Sequence, residues 1–269
     1  MNLEKMIAEY RSAGYTERNA VARVCQDIVL KAIARSNLGR NVTIKGGVVM
    51  RSITGNVRRA TEDLDLDFIK YSLEDESIRA FVSKLNCLEG IRIDIKENKI
   101  EQLSQQEYCG KRVYIIIKDE EGNSIESKVD LGVHANMKIE QDIYCFDVCL
   151  DDEGASLLIN SCEQIFAEKL KTLLRFGPLF TRYKDIFDLC YLKEHIDLLR
   201  LAECIKVYII DEPTMREVNM GDVRKRVSIT FSNQQFRKNV EYSGDRNWLQ
   251  IDVKVAFKMI LDFLETITL

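Results

Sequence analysis

Asp63, Asp65 and Asp67 occupy every second position of Arg59-Ala60-Thr61-Glu62-Asp63-Leu64-Asp65-Leu66-Asp67. Side chains alternate faces along a β-strand, so the three carboxylates share one side, while Leu64, Leu66 and Phe68 share the other and can enter a core. Like charges at that spacing repel one another unless the face is well solvated or a cation sits on it. Two carboxylates side by side offer the hard oxygen ligands that Mg²⁺ takes together with phosphates and water. Paired divalent ions, roughly 3.5–4 Å apart, clamp a polyphosphate and activate an attacking hydroxyl. A third carboxylate from a neighbouring strand would complete such a site. Asp130 is the candidate, in Ser127-Lys128-Val129-Asp130-Leu131, where Val129 and Leu131 face the core and Asp130 faces away. The competing explanation is a solvated edge strand, with Asp130 an ordinary exposed carboxylate.

Upstream, Asn41-Val42-Thr43-Ile44 is a short β-type run that leads into Lys45-Gly46-Gly47. Gly46 and Gly47 let backbone N–H groups come close to a phosphate, and the positive end of a following helix would add to the attraction. A glycine pair is more often a plain turn; its weight comes from its place before a helix and the acidic strand. Arg59 has two readings, pairing with phosphate or neutralising the neighbouring aspartates. Thr61 either donates its hydroxyl to a phosphate oxygen or caps the strand. A second charged run lies downstream: Glu163, Glu168-Lys169-Leu170-Lys171, then Arg182-Tyr183-Lys184-Asp185-Ile186-Phe187-Asp188. Asp185 and Asp188 fall on one helical face. Such a run on its own reads as helix-surface ion pairing of little energetic consequence.

These residues need elements to hold them. The 269 residues are 46% apolar and 30% charged, enough for one large or two moderate domains with a proper core. The net charge of −4 argues against a general nucleic-acid-coating protein. Residues 1–155 carry 22 Lys and Arg against 27 Asp and Glu, and residues 156–269 carry 17 against 16, so the acidity lies with the carboxylate cluster. Eight cysteines without a Cys-x-x-Cys pair, and only two histidines, make a structural zinc site improbable. Most of the cysteines sit in apolar runs and read as buried thiols. No signal peptide or membrane-spanning run is visible, which points to a reducing cytoplasm and no membrane partner.

Helical spacing marks residues 16–36, 74–88 and a short helix from 48 to 52. Residues 41–45, 64–69, 91–96 and 143–150 read as strands. Arg112–Lys118 and Ser124–Val133 form a hairpin around Glu121-Gly122-Asn123. From Ser161 the pattern is helical: Ser161-x-x-Gln164 fits a capping box, and Gly177-Pro178 ends that helix. Further helices are expected over 182–194, 198–209 and near the end of 247–267. The organisation is an N-terminal α/β part over 1–155 and a helical part over 156–269.

Taken together in order, Lys45-Gly46-Gly47, Arg59-x-Thr61-x-Asp63-x-Asp65, Asp130, Ala167-Glu168-Lys169-Leu170 and Arg182-x-Lys184-Asp185-x-x-Asp188-Leu189 resemble the nucleotidyltransferase toxins of the AbiEii/AbiGii type. These are toxin halves of type IV toxin–antitoxin and abortive-infection systems. The resemblance spans roughly residues 40–190. It implies an α+β fold: a DNA-polymerase-β-like core of mixed sheet with flanking helices, plus a C-terminal helical domain. It implies Asp63 and Asp65 as metal ligands, with Asp130 as the third. It implies Lys169 and Asp188 among the catalytic residues, and Lys169, Arg182, Lys184 and Asp185, with Gly46, Gly47, Arg59 and Thr61, at the nucleotide. The cofactor would be Mg²⁺ or Mn²⁺, and the substrate an NTP. The acceptor would be RNA, a tRNA 3′ end above all, with a cognate antitoxin as partner and phage defence as the setting. Val48-Val49-Met50 follows the glycine pair where the family often has a small or hydroxylated residue, so that side-chain contact to phosphate is missing.

Two other readings stay open on the residues: a nucleotidyltransferase acting on a small molecule such as an antibiotic, and a non-catalytic NTP-binding module. An RNA-modifying enzyme needs a basic groove. Arg224-Lys225-Arg226 and Arg237-Lys238 are its candidates, although short runs of this kind are more often solvated surface.

Overall fold

The computed structural model describes residues 1–103, 110–136 and 138–269, apart from the side chain of Asp245. Cys109 lies outside these residues. The chain divides into two compact units, Met1–Asn160 and Ser161–Leu269.

The first unit is built on a seven-stranded mixed sheet. Its strands are β1 (Val42–Lys45), β2 (Leu64–Phe68), β3 (Ile91–Leu103), β4 (Gly110–Asp119), β5 (Ser124–Val133), β6 (Asp142–Phe146) and β7 (Ala155–Ile159), in the spatial order β3-β4-β5-β2-β1-β7-β6. The β2–β5 and β1–β7 pairs are parallel and the others antiparallel. β2 is therefore a central strand, and Leu64, Leu66 and Phe68 are buried as the alternation predicts. The helices α1 (Leu3–Ser12), α2 (Glu17–Arg35), α3 (Gly46–Thr54) and α4 (Asp75–Lys84) flank it.

α2 is buried nearly all round from Ala22 to Ile33, which costs little because its polar residues are paired. Lys31 donates to Asp151 (2.7 Å) and to the carbonyl of Gly154 (2.7 Å), and Arg23 pairs with Asp27 at 3.1 Å. The expected elements of this unit are present, with three differences. α1 and β7 were not foreseen, and β7 carries the sheet past residue 155 to Ile159. β3 continues to Leu103 through a bulge between Ile95 and Ile100, with Glu97 and Asn98 at positive φ. The strand expected over 143–150 stops at Phe146.

The second unit is helical: α5 (Cys162–Phe176), α6 (Lys184–Leu192), α7 (Leu198–Ile205) extended by a π turn (Lys206–Ile210), α8 (Met220–Ser232), α9 (Gln234–Tyr242) and α10 (Val253–Thr266). Ser161 caps α5, its Oγ accepting from the N–H of Gln164 at 3.2 Å, while the Gln164 amide donates to Glu168. The unit's core includes Phe231, Phe236 and Phe257, with the Phe231 and Phe257 rings stacked 4.0 Å apart. Periodicity alone did not reveal α8 and α9, because their apolar positions are few. Among the described residues, no helix is long and apolar enough to cross a membrane. Cysteine burial is mixed: Cys25, Cys190 and Cys204 are buried, Cys149 and Cys162 intermediate, and Cys87 and Cys145 exposed, which corrects the expectation of mostly buried thiols.

Candidate active site

The acidic strand sits at the middle of a row that crosses four strands. Lys45 of β1 is the register partner of Asp65, Asp65 of Asp130 on β5, and Asp130 of Arg112 on β4. Register partners project to the same face, so this row presents alternating charge along one side of the sheet. One step along the strands, Asp67 aligns with Gly132 and Thr43.

Each carboxylate has a distinct surrounding. Asp67 is buried and pairs with Lys45, Nζ to Oδ1 2.7 Å. A β-carbon at Gly132 would collide with the Asp67 carboxylate, so glycine there is what admits it. Asp130, its side chain 12% exposed, takes a two-pronged bond from Arg112, with Nε and Nη2 at 2.7 and 2.8 Å. That fork raises the pKa of the Arg112 guanidinium and fixes the orientation of Asp130. Asp63 lies just before β2, 53% exposed, with Lys128 Nζ 2.8 Å from Oδ1. Asp65 is half-buried against the start of α3: a β-carbon on Gly46 would lie 2.6 Å from its Oδ2.

The glycine pair opens α3 itself. Gly46 adopts φ +65°, a conformation that favours glycine, and Lys45 is the N-cap residue. A β-carbon on Gly47 would run into the Thr61 side chain, which brings Gly47 and Thr61 into contact. Gln26, fully buried on α2, donates to the carbonyls of Thr61 (3.0 Å) and Asp63 (3.4 Å) and so ties the segment before β2 to the core. Arg59 is buried, at the end of a 3₁₀ turn over Val57–Arg59. Arg51, on the far side of α3, is buried 3.8 Å from Asp27, and burial lowers its pKa to about 10. The first unit thus gathers Gly46, Gly47, Thr61, Asp63, Asp65 and Asp130 around β2 and the start of α3, with Arg59 buried at the end of the preceding turn.

The remaining sequence candidates lie in the second unit, where Lys169, Arg182, Asp185 and Asp188 form one network. Lys169 on α5 is buried and bonds to Asp185 and to Asp188 of α6, the latter at 2.9 Å. Asp188 also accepts from Trp248 Nε1 at 2.9 Å, and Arg182 reaches Asp185 at 3.1 Å from a side chain 64% exposed. Lys184 begins α6. The sequence alone favoured surface ion pairing for this run; the structure buries its centre. Of the basic candidates, Arg224 pairs with Glu265, while Arg226 and Arg237 donate to the carbonyls of Leu174 and Phe231 and are engaged in helix packing.

Sequence reasoning gave no role to Arg112, Lys128 and Gln26, and named Lys45 only as part of the glycine motif. For Arg112 the signal was present. Counting outward from the hairpin turn, where Lys118 faces Ser124, six steps bring Arg112 opposite Asp130.

The chain is a nucleotidyltransferase: residues 28–259 match the family described as nucleotidyl transferase AbiEii toxin, type IV TA system. It belongs to that family, which makes it the toxin type of a type IV toxin–antitoxin system and gives it an NTP as substrate. No curated protein matches the sequence. Among solved structures, it is similar to an antigenic nucleotidyltransferase-like protein from Paracoccidioides brasiliensis, with 14% identity, 87% of this chain and 93% of that one covered, and a TM-score of 0.42.

Proposed function

We propose that this chain transfers a nucleoside monophosphate from an NTP to the 3′ hydroxyl of an RNA, a tRNA in particular, with a divalent metal held by Asp63 and Asp65 and Asp130 as the third carboxylate. The observation that carries the reading is the row in which Asp65 and Asp130 are register partners beside a glycine-opened helix. Among the described residues no three His, Cys, Asp or Glu side chains form a ready-made cage. Mg²⁺ asks for none, since it keeps waters and binds through one or two carboxylates plus substrate phosphates. The donor set suits it: oxygen ligands throughout, space beside Asp65 that a Gly46 β-carbon would fill, and an exposed Asp63–Lys128 pair that exchanges at little cost. Mg²⁺ or Mn²⁺ bound there would neutralise the polyphosphate and lower the pKa of the attacking hydroxyl.

The chain's own groups do the rest in this reading. Backbone N–H groups at Gly46 and Gly47 receive phosphate, with Arg59 and Thr61 beside them. Asp130, held by Arg112, orients the hydroxyl and takes its proton. In the second unit, Lys169, Asp185 and Asp188 fix α5 against α6 and, with Arg182 and Lys184, offer the nucleotide-binding and catalytic groups that the family pattern assigns. The unit Met1–Asn160 then serves as the catalytic domain and Ser161–Leu269 as a helical companion. The protein acts in the cytoplasm, in abortive infection against phage, with a cognate antitoxin restraining it. Incubating the purified protein with Mg²⁺, each labelled NTP in turn and total RNA, beside Asp63→Ala, tests this. Label on RNA with the wild type alone is expected; label on RNA from Asp63→Ala as well, or on no RNA, would overturn it.

A further inference from the structure

A cavity of about 350 Å³ opens beside Asp63. It exists because two neighbouring strands start at different heights. β2 begins at Leu64, opposite Val129, whereas β5 begins at Ser124, so the first five residues of β5 lack a β2 neighbour. The first turns of α2 close this notch with Arg18, Val21 and Ala22, spaced so as to share one helical face. Lys128 and its register partner Tyr114 form the opposing wall.

The lining is unusual in its charges. Arg18, Lys96 and Lys128 each reach the cavity and each is held by a carboxylate: Glu62 at 2.5 Å, Glu126 at 2.7 Å and Asp63 at 2.8 Å. All three pairs are substantially exposed, the class of ion pair that contributes little and exchanges readily for another anion. The apolar part of the lining is Val21 and Ala22, with Tyr114, whose ring carries Lys99 Nζ 4.2 Å from its centroid. Cations at the rim and an apolar or aromatic surface within are what a single-stranded nucleotide requires, its phosphate on the charges and its base on the patch. The volume is on the scale of a small-ligand site. Lys128 belongs both to this cavity and to the Asp63 carboxylate.

We propose that this cavity receives the 3′-terminal nucleotide of a single-stranded RNA acceptor, with its base against Val21 and Ala22 and its phosphate drawing Lys128 away from Asp63. Occupation of the acceptor cavity and release of Asp63 for its own role are then one event. Lys128 is a positioning residue in this account. The inference rests on the proposed RNA acceptor.

The test uses the full chain and a short single-stranded RNA with a free 3′ hydroxyl and a 5′ fluorophore. Val21→Glu places a carboxylate on the apolar patch, and Arg18→Glu, at a highly exposed position that does not endanger folding, reverses one rim charge. RNA affinity is read by anisotropy, NTP affinity by equilibrium binding without RNA, and transfer with labelled NTP. Both variants are expected to lose about tenfold or more in RNA affinity, through the patch in one and a phosphate contact in the other, and to keep wild-type NTP affinity. Wild-type RNA binding and extension by both variants would overturn the cavity assignment while leaving RNA transfer standing. Loss of NTP affinity instead would assign the cavity to the donor and overturn it equally. A wild type that binds and labels no RNA, but labels a small hydroxyl compound, would overturn the acceptor reading itself and this inference with it.

Discussion

Asp65 and Asp130 are direct register partners on the parallel strands β2 and β5, yet their surroundings differ: Asp130 is gripped through both oxygens by Arg112, while Asp65 lies against the α-carbon of Gly46. Two carboxylates side by side on a sheet repel, and a fork from one guanidinium relieves this at one end of the pair. The arrangement separates roles. Asp65 faces the start of α3, where phosphate is expected, and Asp130 is held in one orientation by its neighbour. Asp65→Asn is therefore expected to lower the transfer rate by about a hundredfold or more, the scale on which a group stabilising the transition state acts. Thermal unfolding should stay close to that of the wild type. Wild-type turnover in Asp65→Asn would remove Asp65 from the chemistry.

Arg112 sets the aim of Asp130 without lying at the glycine-opened helix, so its loss should appear in kcat and not in NTP KM. Arg112→Ala is expected to lower kcat about tenfold or more, a modest share of what a misplaced catalytic group costs. Arg112→Lys should rescue only part of this, because an ammonium cannot reproduce the planar fork. Steady-state kinetics over NTP and acceptor concentrations checks it, and a full rescue by lysine would show that charge alone suffices.

Gly46 and Gly47 are needed for different reasons, so their alanine variants should fail differently. Gly46 sits at φ +65° with Asp65 behind it, and Gly47 touches Thr61. Gly46→Ala is expected to cost about 1–3 kcal/mol through backbone strain and to displace Asp65, so stability and transfer fall together. Gly47→Ala should chiefly shift Thr61 and weaken NTP binding. Denaturant unfolding and NTP titration on both variants separate the two effects.

The acidic strand was legible because alternation is a local property: Asp63, Asp65 and Asp67 share a face in any strand. The same holds for the β4–β5 hairpin, whose turn residues announce it. What could not be read were relations between distant segments. That Lys45 pairs with Asp67 and Gln26 holds the Thr61 carbonyl depends on β1 and α2 packing beside β2, and no spacing rule encodes that. The parallel β2–β5 pairing is of the same kind, since its strands are separated by 55 residues that include β3 and β4. β7 went unseen because five residues following an acidic turn give too short a pattern. The run 163–188 misled because Lys169 and Asp188, charged residues at helical spacing, look identical on a surface and in a buried network until their neighbours are known.

Asp119 gives the fold a pH dependence. Its carboxylate accepts N–H bonds from Leu3 (3.0 Å), Glu121 and Asn123, and these, the Leu3 bond first, hold its pKa below the ordinary 3.8. A carboxylate with a lower pKa in the folded state stabilises fully above its unfolded pKa, about 4, and the contribution fades as pH falls through the folded value. Asp119→Asn should accordingly be less stable than the wild type at pH 7, with faster amide exchange in α1, and the gap should close as pH drops below about 4. Urea unfolding of both proteins at pH 7 and pH 3 measures this, and a gap of unchanged size at pH 3 would dissociate the carboxylate from the anchoring of α1.

The buried network of the second unit makes the sharpest stability prediction. Lys169 bonds to both Asp185 and Asp188 there, and Asp188 is fully buried. Removing one partner of such a set leaves charge in a dry site, so Lys169→Met should destabilise the protein by about 3–5 kcal/mol. Trp248→Phe removes the Nε1 donor to Asp188, a charge-assisted bond worth about 1.5–3 kcal/mol, together with part of a buried indole, so it should cost at least that much. Asp188 is the shared partner of Lys169 and Trp248, so the loss in the double variant should differ from the sum of the two singles. Denaturant unfolding of the two singles and the double tests the set as a unit. Strict additivity would mean that Trp248 and Lys169 act on Asp188 independently, and a near-neutral Lys169→Met would mean that the network does not hold α5 against α6.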